Sequence, residues 1–372
     1  MLTVEEARAR YYPRVPTHED AGPLWGQVNS VYTGESLALF TLPDDESADF
    51  ANDRRQMTWP EVRSLLTEHA NAVDLAWRAA RERPSCSTPI NESGDWLDWL
   101  PIFEGRHPAS LLVDWKTRLA LYDGDSDLGA QGVEAMFALA RQCKDPSWIS
   151  FLEGCAYQKR ACELLELLLA LNPTEATLDR LLAVISDQDL RPDSALVADI
   201  ALGHTLFTTH QQHLDELLGE SLPMWQFKLT GLLDREHAHY VAWLSGYLDA
   251  LQRPLPKVRA RVLAVDQEFP RTARFVPTKV GQIDMVRLID RFLRAQSLLA
   301  VTTAALQVEL HSSRTGSLPM TWDAQDPVTG APLKYMRTGD RYKIWAAGAD
   351  GKDDGGERDN DVVFEVRREK TR

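Results

Sequence analysis

The chain has 372 residues, of which 44% are apolar and 26% charged, a globular composition that excludes extended disorder as its general state. Its net charge of −14 disfavours a phosphate backbone as partner, and no basic patch with interleaved aromatics offsets it; the tail Arg367 to Arg372 reads as a solvated end. The longest apolar run, Leu167 to Leu171, is far too short to span a membrane, and no signal peptide opens the chain, which leaves a cytoplasmic protein or one whose targeting segment was removed. The four cysteines are Cys86, Cys143, Cys155 and Cys162. They form no Cys-x-x-Cys, and Cys155 and Cys162 fall about two helical turns apart, too far for a disulfide, so buried free thiols are expected.

Residues 1–59 form an irregular N-terminal segment punctuated by Pro13, Pro16, Pro23 and Pro43, with one short helix expected at Ala21 to Tyr32. From Pro60 the spacing turns helical, with Val62, Leu65, Leu66, Val73, Ala76 and Trp77 on one face. Arg83 to Pro89 reads as a loop, and Trp96 to Tyr122 as one or two helices. A turn at Asp123 to Asp127 leads to a helix from Leu128 to Cys143, and Lys144 to Pro146 to a long one from Trp148 to Leu171. Asn172, Pro173 and Glu175 suit the N-cap, first and third positions of a helix running to Ser186. Further helices are expected at Arg191 to Leu218, Pro223 to Leu233, Glu236 to Leu251 and Lys257 to Glu268. Residues 60–280 thus read as a helical domain, an antiparallel bundle or a repeat-like array, although no strict period is visible.

Residues 281–372 differ. A final long helix is expected from Gln282 to His311, with Val286, Leu288, Ile289, Phe292, Leu293 and Leu299 among its apolar positions. Lys334 to Thr338 and Tyr342 to Ala346 alternate around Gly339-Asp340 as a hairpin, and Val362 to Val366 reads as a third strand. Between the second and third strands lie six carboxylates, Asp350, Asp353, Asp354, Glu357, Asp359 and Asp361, interleaved with Gly351, Gly355 and Gly356. Such a run is either a solvated loop or a site for calcium, a hard cation that takes six to eight carboxylate and carbonyl oxygens. Glycine spacing and flanking strands favour calcium. Lys352 at the third loop position excludes an EF-hand.

The long helix, Gly316-Ser-Leu-Pro, Asp326-Pro-Val-Thr-Gly-Ala-Pro-Leu and the hairpin closing on Gly348-Ala-Asp-Gly-Lys together resemble the globular head of the major pseudopilin of type II secretion. That resemblance covers about Gln282 to Val366. It implies a small α+β domain whose acidic loop binds calcium, with Asp350 and Asp361 matching the loop ends and Asp354, Glu357 and Asp359 competing for the place between. The long helix here carries Asp284, Arg287, Asp290, Arg291 and Arg294, unlike the apolar N-terminal helix with which pseudopilins assemble filaments. The whole chain resembles a group of planctomycete-type proteins in which a helical region with an Arg-Pro-x-Cys segment, here Arg83 to Cys86, precedes such a head. The resemblance implies an extracytoplasmic setting.

The histidines offer a rival metal site: His210 and His213 with Glu216, and His237 and His239 beside Glu236. They lack His-Glu-x-x-His or paired Glu-x-x-His spacing and are expected not to form one. Glu163 and Glu166, a pair on one helix, are expected to face solvent. No Gly-x-Ser-x-Gly, P-loop or Gly-x-Gly-x-x-G occurs. The expected fold is therefore mainly α, a helical bundle or array followed by a long helix and about three antiparallel strands. The expected function is a non-catalytic, calcium-stabilised protein-interaction or structural module of the cell envelope; the alternative is a metal-dependent hydrolase built on the histidines.

Overall fold

The computed structural model of the protein describes residues 15–16, 18–32, 40–43, 55–86, 100–143, 148–197, 200, 232–268, 284–348 and 351–368. In chain order these hold helix α1 (Gly22–Val31), the two-residue strands β1 (Phe40–Thr41) and β2 (Arg55–Gln56), and helices α2 (Trp59–Glu68), α3 (Ala70–Glu82), α4 (Leu100–Tyr122), α5 (Ser126–Gln142), α6 (Trp148–Ala170) and α7 (Glu175–Ser186). Then come α8 (Leu232–Leu251), α9 (Leu255–Glu268), α10 (Met285–Thr315) and strands β3 (Lys334–Thr338), β4 (Arg341–Ala346) and β5 (Val362–Val366). The protein is mainly helical with a small antiparallel sheet of order β3-β4-β5. The parallel β1–β2 bridge lies in a stretch expected to be irregular.

Local chemistry explains most boundaries. Glu61 receives both the backbone N–H and the hydroxyl of Thr58, at 2.8 and 2.9 Å, so α2 begins one residue before Pro60. The helix expected to run on through Trp77 is broken at His69, whose φ of −101° and ψ of 28° separate α2 from α3. Asp125 caps α5 by accepting the N–H of Leu128 at 2.9 Å. The expected cap of α7 is displaced by two residues. Thr174, not Asn172, accepts the N–H of Thr177, while Asn172 takes a left-handed φ of 54° to end the preceding turn. Helix α10 is capped by Asp284 and stopped by Gly316 at φ 77°.

Helices α4, α5 and α6 pack together. Arg106 lies inside this packing with no exposure; it donates to Ser150 Oγ at 2.6 Å and pairs with Glu153 at 3.2 Å. The backbones approach closely where side chains are missing: a Cβ on Gly105 would lie 2.1 Å from the carbonyl oxygen of Trp25 on α1. One apolar cluster joins helices α1 to α7, the C-terminal half of α10 and the sheet. A second joins the start of α6, helices α8 and α9 and the N-terminal half of α10. Helices α6 and α10 therefore belong to both. No helix among the described residues is long and apolar enough to cross a membrane.

Asp326 fixes the crossing from α10 to the sheet. It is 1% exposed, and its carboxylate accepts the N–H groups of Val328 and Thr329, both at 3.1 Å, and the hydroxyls of Thr329 at 2.7 Å and of Ser297 on α10 at 2.8 Å. The Asp-Pro-Val-Thr-Gly segment is thus a turn pinned to the long helix. In the hairpin, Thr338 pairs with Arg341, and Gly339 has the positive φ of 64° that a two-residue turn asks of its first position.

Candidate metal centre

The strand period decides what the acidic loop meets. Tyr342, Ile344 and Ala346 of β4 are buried, and the Tyr342 hydroxyl donates to the carbonyl of Ala305 on α10 at 3.3 Å. Lys343 and Trp345 therefore project from the other face, as does Lys334, the cross-strand partner of Trp345. The loop between β4 and β5 folds over that face. Trp345 Nε1 donates to Asp353 Oδ1 at 2.8 Å, and Lys343 Nζ donates to the carbonyls of Gly355 at 2.8 Å and Gly356 at 3.3 Å. Gly351, Gly355 and Gly356 all have φ of 77°, a conformation that costs an L side chain strain.

Two carboxylates organise the backbone of this loop. Asp353 Oδ1 also accepts the N–H of Gly355 at 3.1 Å, and Lys334 lies 4.0 Å from its other oxygen. The Trp345 and Gly355 donors hold its carboxyl below the usual carboxylate range. Asp361 has no exposure, and its Oδ2 accepts the N–H groups of Asp354 at 3.0 Å and Gly356 at 2.7 Å. Its Oδ1 is buried and has no hydrogen-bond partner among the described residues. Asp354, Glu357 and Asp359 are exposed.

The loop is tied to both long helices. Arg294 of α10 donates to the carbonyls of Arg358 and Asp361, each at 3.3 Å. Glu166 of α6 accepts from Arg358 at 2.8 Å through one oxygen and from the Glu365 N–H at 2.8 Å through the other. The expectation that Glu166 faces solvent is thereby overturned: its side chain is 14% exposed because β5 and the loop cover it. Burial pushes its carboxyl up to about 7 despite Arg358 and the Glu365 N–H, and Glu163 adds to the rise.

Of the six expected ligands, the structure buries Asp361 alone; Asp353, Asp354, Glu357 and Asp359 are exposed, and Asp350 lies outside the described residues. Among the described residues no three His, Cys, Asp or Glu side chains gather as a ready-made metal site. Asp361 Oδ1 fits a hard cation, being a carboxylate oxygen removed from water and without a partner among the described residues. Lys343 serves the loop as a resident cation. Lys334 stands on the same outward face, a placement that follows for both lysines from the strand period of two. Of the rival histidines, His237 and His239 lie on α8, while His210 and His213 fall outside the described residues, as does Glu216. All four cysteines are free thiols. Compared with known proteins, the chain matches no protein-family model, no curated protein and no solved structure.

Proposed function

We propose that the chain is a non-catalytic protein-interaction or structural module of the cell envelope whose C-terminal loop takes one calcium ion. The observation that carries the calcium reading is the buried Oδ1 of Asp361, which has no partner among the described residues. An unsatisfied buried acceptor costs about 1–3 kcal/mol, and more when charged. A hard cation meets that need directly, whereas the N–H groups of Asp354, Gly355 and Gly356 already serve Asp361 Oδ2 and Asp353 Oδ1. Asp361 would be the central ligand, with Asp350 and one or more of Asp353, Asp354, Glu357 and Asp359 completing the carboxylate set. The ion would supply charge neutralisation and a cross-link between the ends of the loop.

The envelope setting and the protein partner rest on the resemblance of Gln282 to Val366 to the pseudopilin head. Helix α10 does not act here as a bare filament helix, because sixteen of its residues are buried against the rest of the chain. Metal analysis of the purified protein tests the reading. Calcium near one equivalent per chain, lost in Asp361→Asn, is expected. Stoichiometric zinc or iron without calcium would overturn it in favour of a histidine-based hydrolase.

A further inference from the structure

The peptide unit that joins Gly355 to Gly356 lies between opposite charges. Its carbonyl, that of Gly355, accepts from Lys343 Nζ at 2.8 Å, and its N–H, that of Gly356, donates to Asp361 Oδ2 at 2.7 Å. No cis peptide bond occurs among the described residues, so these two groups point opposite ways from one planar unit. The ammonium and the carboxylate therefore stand on either side of the peptide. Each makes a charge-assisted bond with the end that suits it.

A hard cation takes backbone carbonyls along with carboxylates, six to eight oxygens in all. The Gly355–Gly356 unit offers Asp361 an N–H instead, while its carbonyl serves Lys343. A half-turn of the unit exchanges the two ends: the Gly355 carbonyl then faces Asp361, and the Gly356 N–H faces Lys343. On its own this position sets oxygen against carboxylate and N–H against ammonium. A cation beside Asp361 turns the first of those repulsions into shared coordination. The residue types allow the turn. It changes ψ of Gly355 and φ of Gly356, and takes the latter from 77° to a negative value. A Cβ on Gly355 would meet no described atom within 4 Å, and one on Gly356 would meet Lys343, with Nζ at 2.7 Å. Asp361 Oδ2 retains the Asp354 N–H, at 3.0 Å, whichever way the unit faces. Lys343, on losing the Gly355 carbonyl, still has Glu365 across the ladder on β5 and the Trp345 ring, whose centre is 4.9 Å away.

We infer that the Gly355–Gly356 peptide is a two-position switch, held by Lys343 with its N–H on Asp361 and turned over by calcium to present the Gly355 carbonyl as a ligand beside Asp361. This rests on the calcium reading of the loop and adds a moving part to it. Affinity for the ion is then set by the difference between two backbone positions, and not by the carboxylates alone. Lys343 is a positioning residue, and it works against the ion.

Calorimetric titration of the full chain with calcium, together with amide spectra of 15N-glycine-labelled protein, tests the switch. The Gly356 signal is identified by its loss in Gly356→Ala. In chelator that amide should be protected from exchange with solvent by the Asp361 carboxylate, and saturation with calcium should remove the protection. Lys343→Met deletes the bond that favours the first position, so calcium should bind about tenfold more tightly. Gly356→Ala is strained at a φ of 77° and relieved by the turn, so it should bind calcium more tightly as well. Native protein that binds calcium with its Gly356 amide unchanged, or without tightening in Lys343→Met, would overturn the switch and leave the calcium site standing. Absence of calcium binding by the native protein would overturn both.

Discussion

Glu166 and Asp361 are both withdrawn from water, and their surroundings treat them differently. Glu166 has a guanidinium on one oxygen and a backbone N–H on the other, yet burial still lifts it to about 7. Its folded pKa lies above its ordinary value of 4.5, so between the two the native state holds more protons than the unfolded chain. Its contribution to stability is therefore fully present below about pH 4.5 and lost as pH rises through about 7. Glu166→Gln keeps an acceptor for the Glu365 N–H and cannot ionise. Melting curves from about pH 5 to about pH 8 should accordingly show a flatter profile for Glu166→Gln than for the native protein; parallel profiles would show that Glu166 does not titrate in this range. Nothing local in the sequence signals this burial. Its partners Arg358 and Glu365 lie 192 and 199 residues away, and only the packing of β5 on α6 brings them together.

At the scale of elements, apolar spacing located most of the described helices and the hairpin, because helix and strand periods differ and Gly339 supplies the turn, but it missed the break at His69 and placed one between Leu233 and Glu236, where α8 is continuous. Boundaries depended on atoms that spacing does not report. Asn172 and Thr174 both suit a helix cap, and the backbone chooses Thr174 by turning left-handed at Asn172. Thr174→Ala should then cost about 1 kcal/mol, seen as a lower denaturant midpoint at unchanged slope, while Asn172→Gly should cost little or nothing. The reverse order would restore Asn172 as the cap. Helix contacts were equally hidden. Gly105 of α4 meets the Trp25 carbonyl on α1, so Gly105→Ala should destabilise by about 1–3 kcal/mol. Gly26→Ala, on α1 with no atom of the described residues within 4 Å, serves as the tolerated control in the same denaturation experiment.

Across the whole molecule, α6 and α10 run through both apolar clusters, and each sends a side chain to the acidic loop, Glu166 from one and Arg294 from the other. Order in the loop is thereby coupled to the two longest-reaching elements of the fold. The sequence made the loop legible as a run of carboxylates and glycines, but not its division into one buried organiser, Asp361, and four exposed acids, of which Asp353 still binds the loop backbone. That division comes from the outward face of the sheet, where Lys343 takes two loop carbonyls. Thermal unfolding with added calcium, compared with unfolding in chelator, tests the proposed ion most directly. A ligand that binds only the folded state stabilises it by mass action. The melting temperature should rise with free calcium in the native protein and stay constant in Asp361→Asn and in Asp350→Ala. A melting temperature that ignores both calcium and chelator would mean that Lys343, Lys334 and the loop's own backbone hold these carboxylates without an ion.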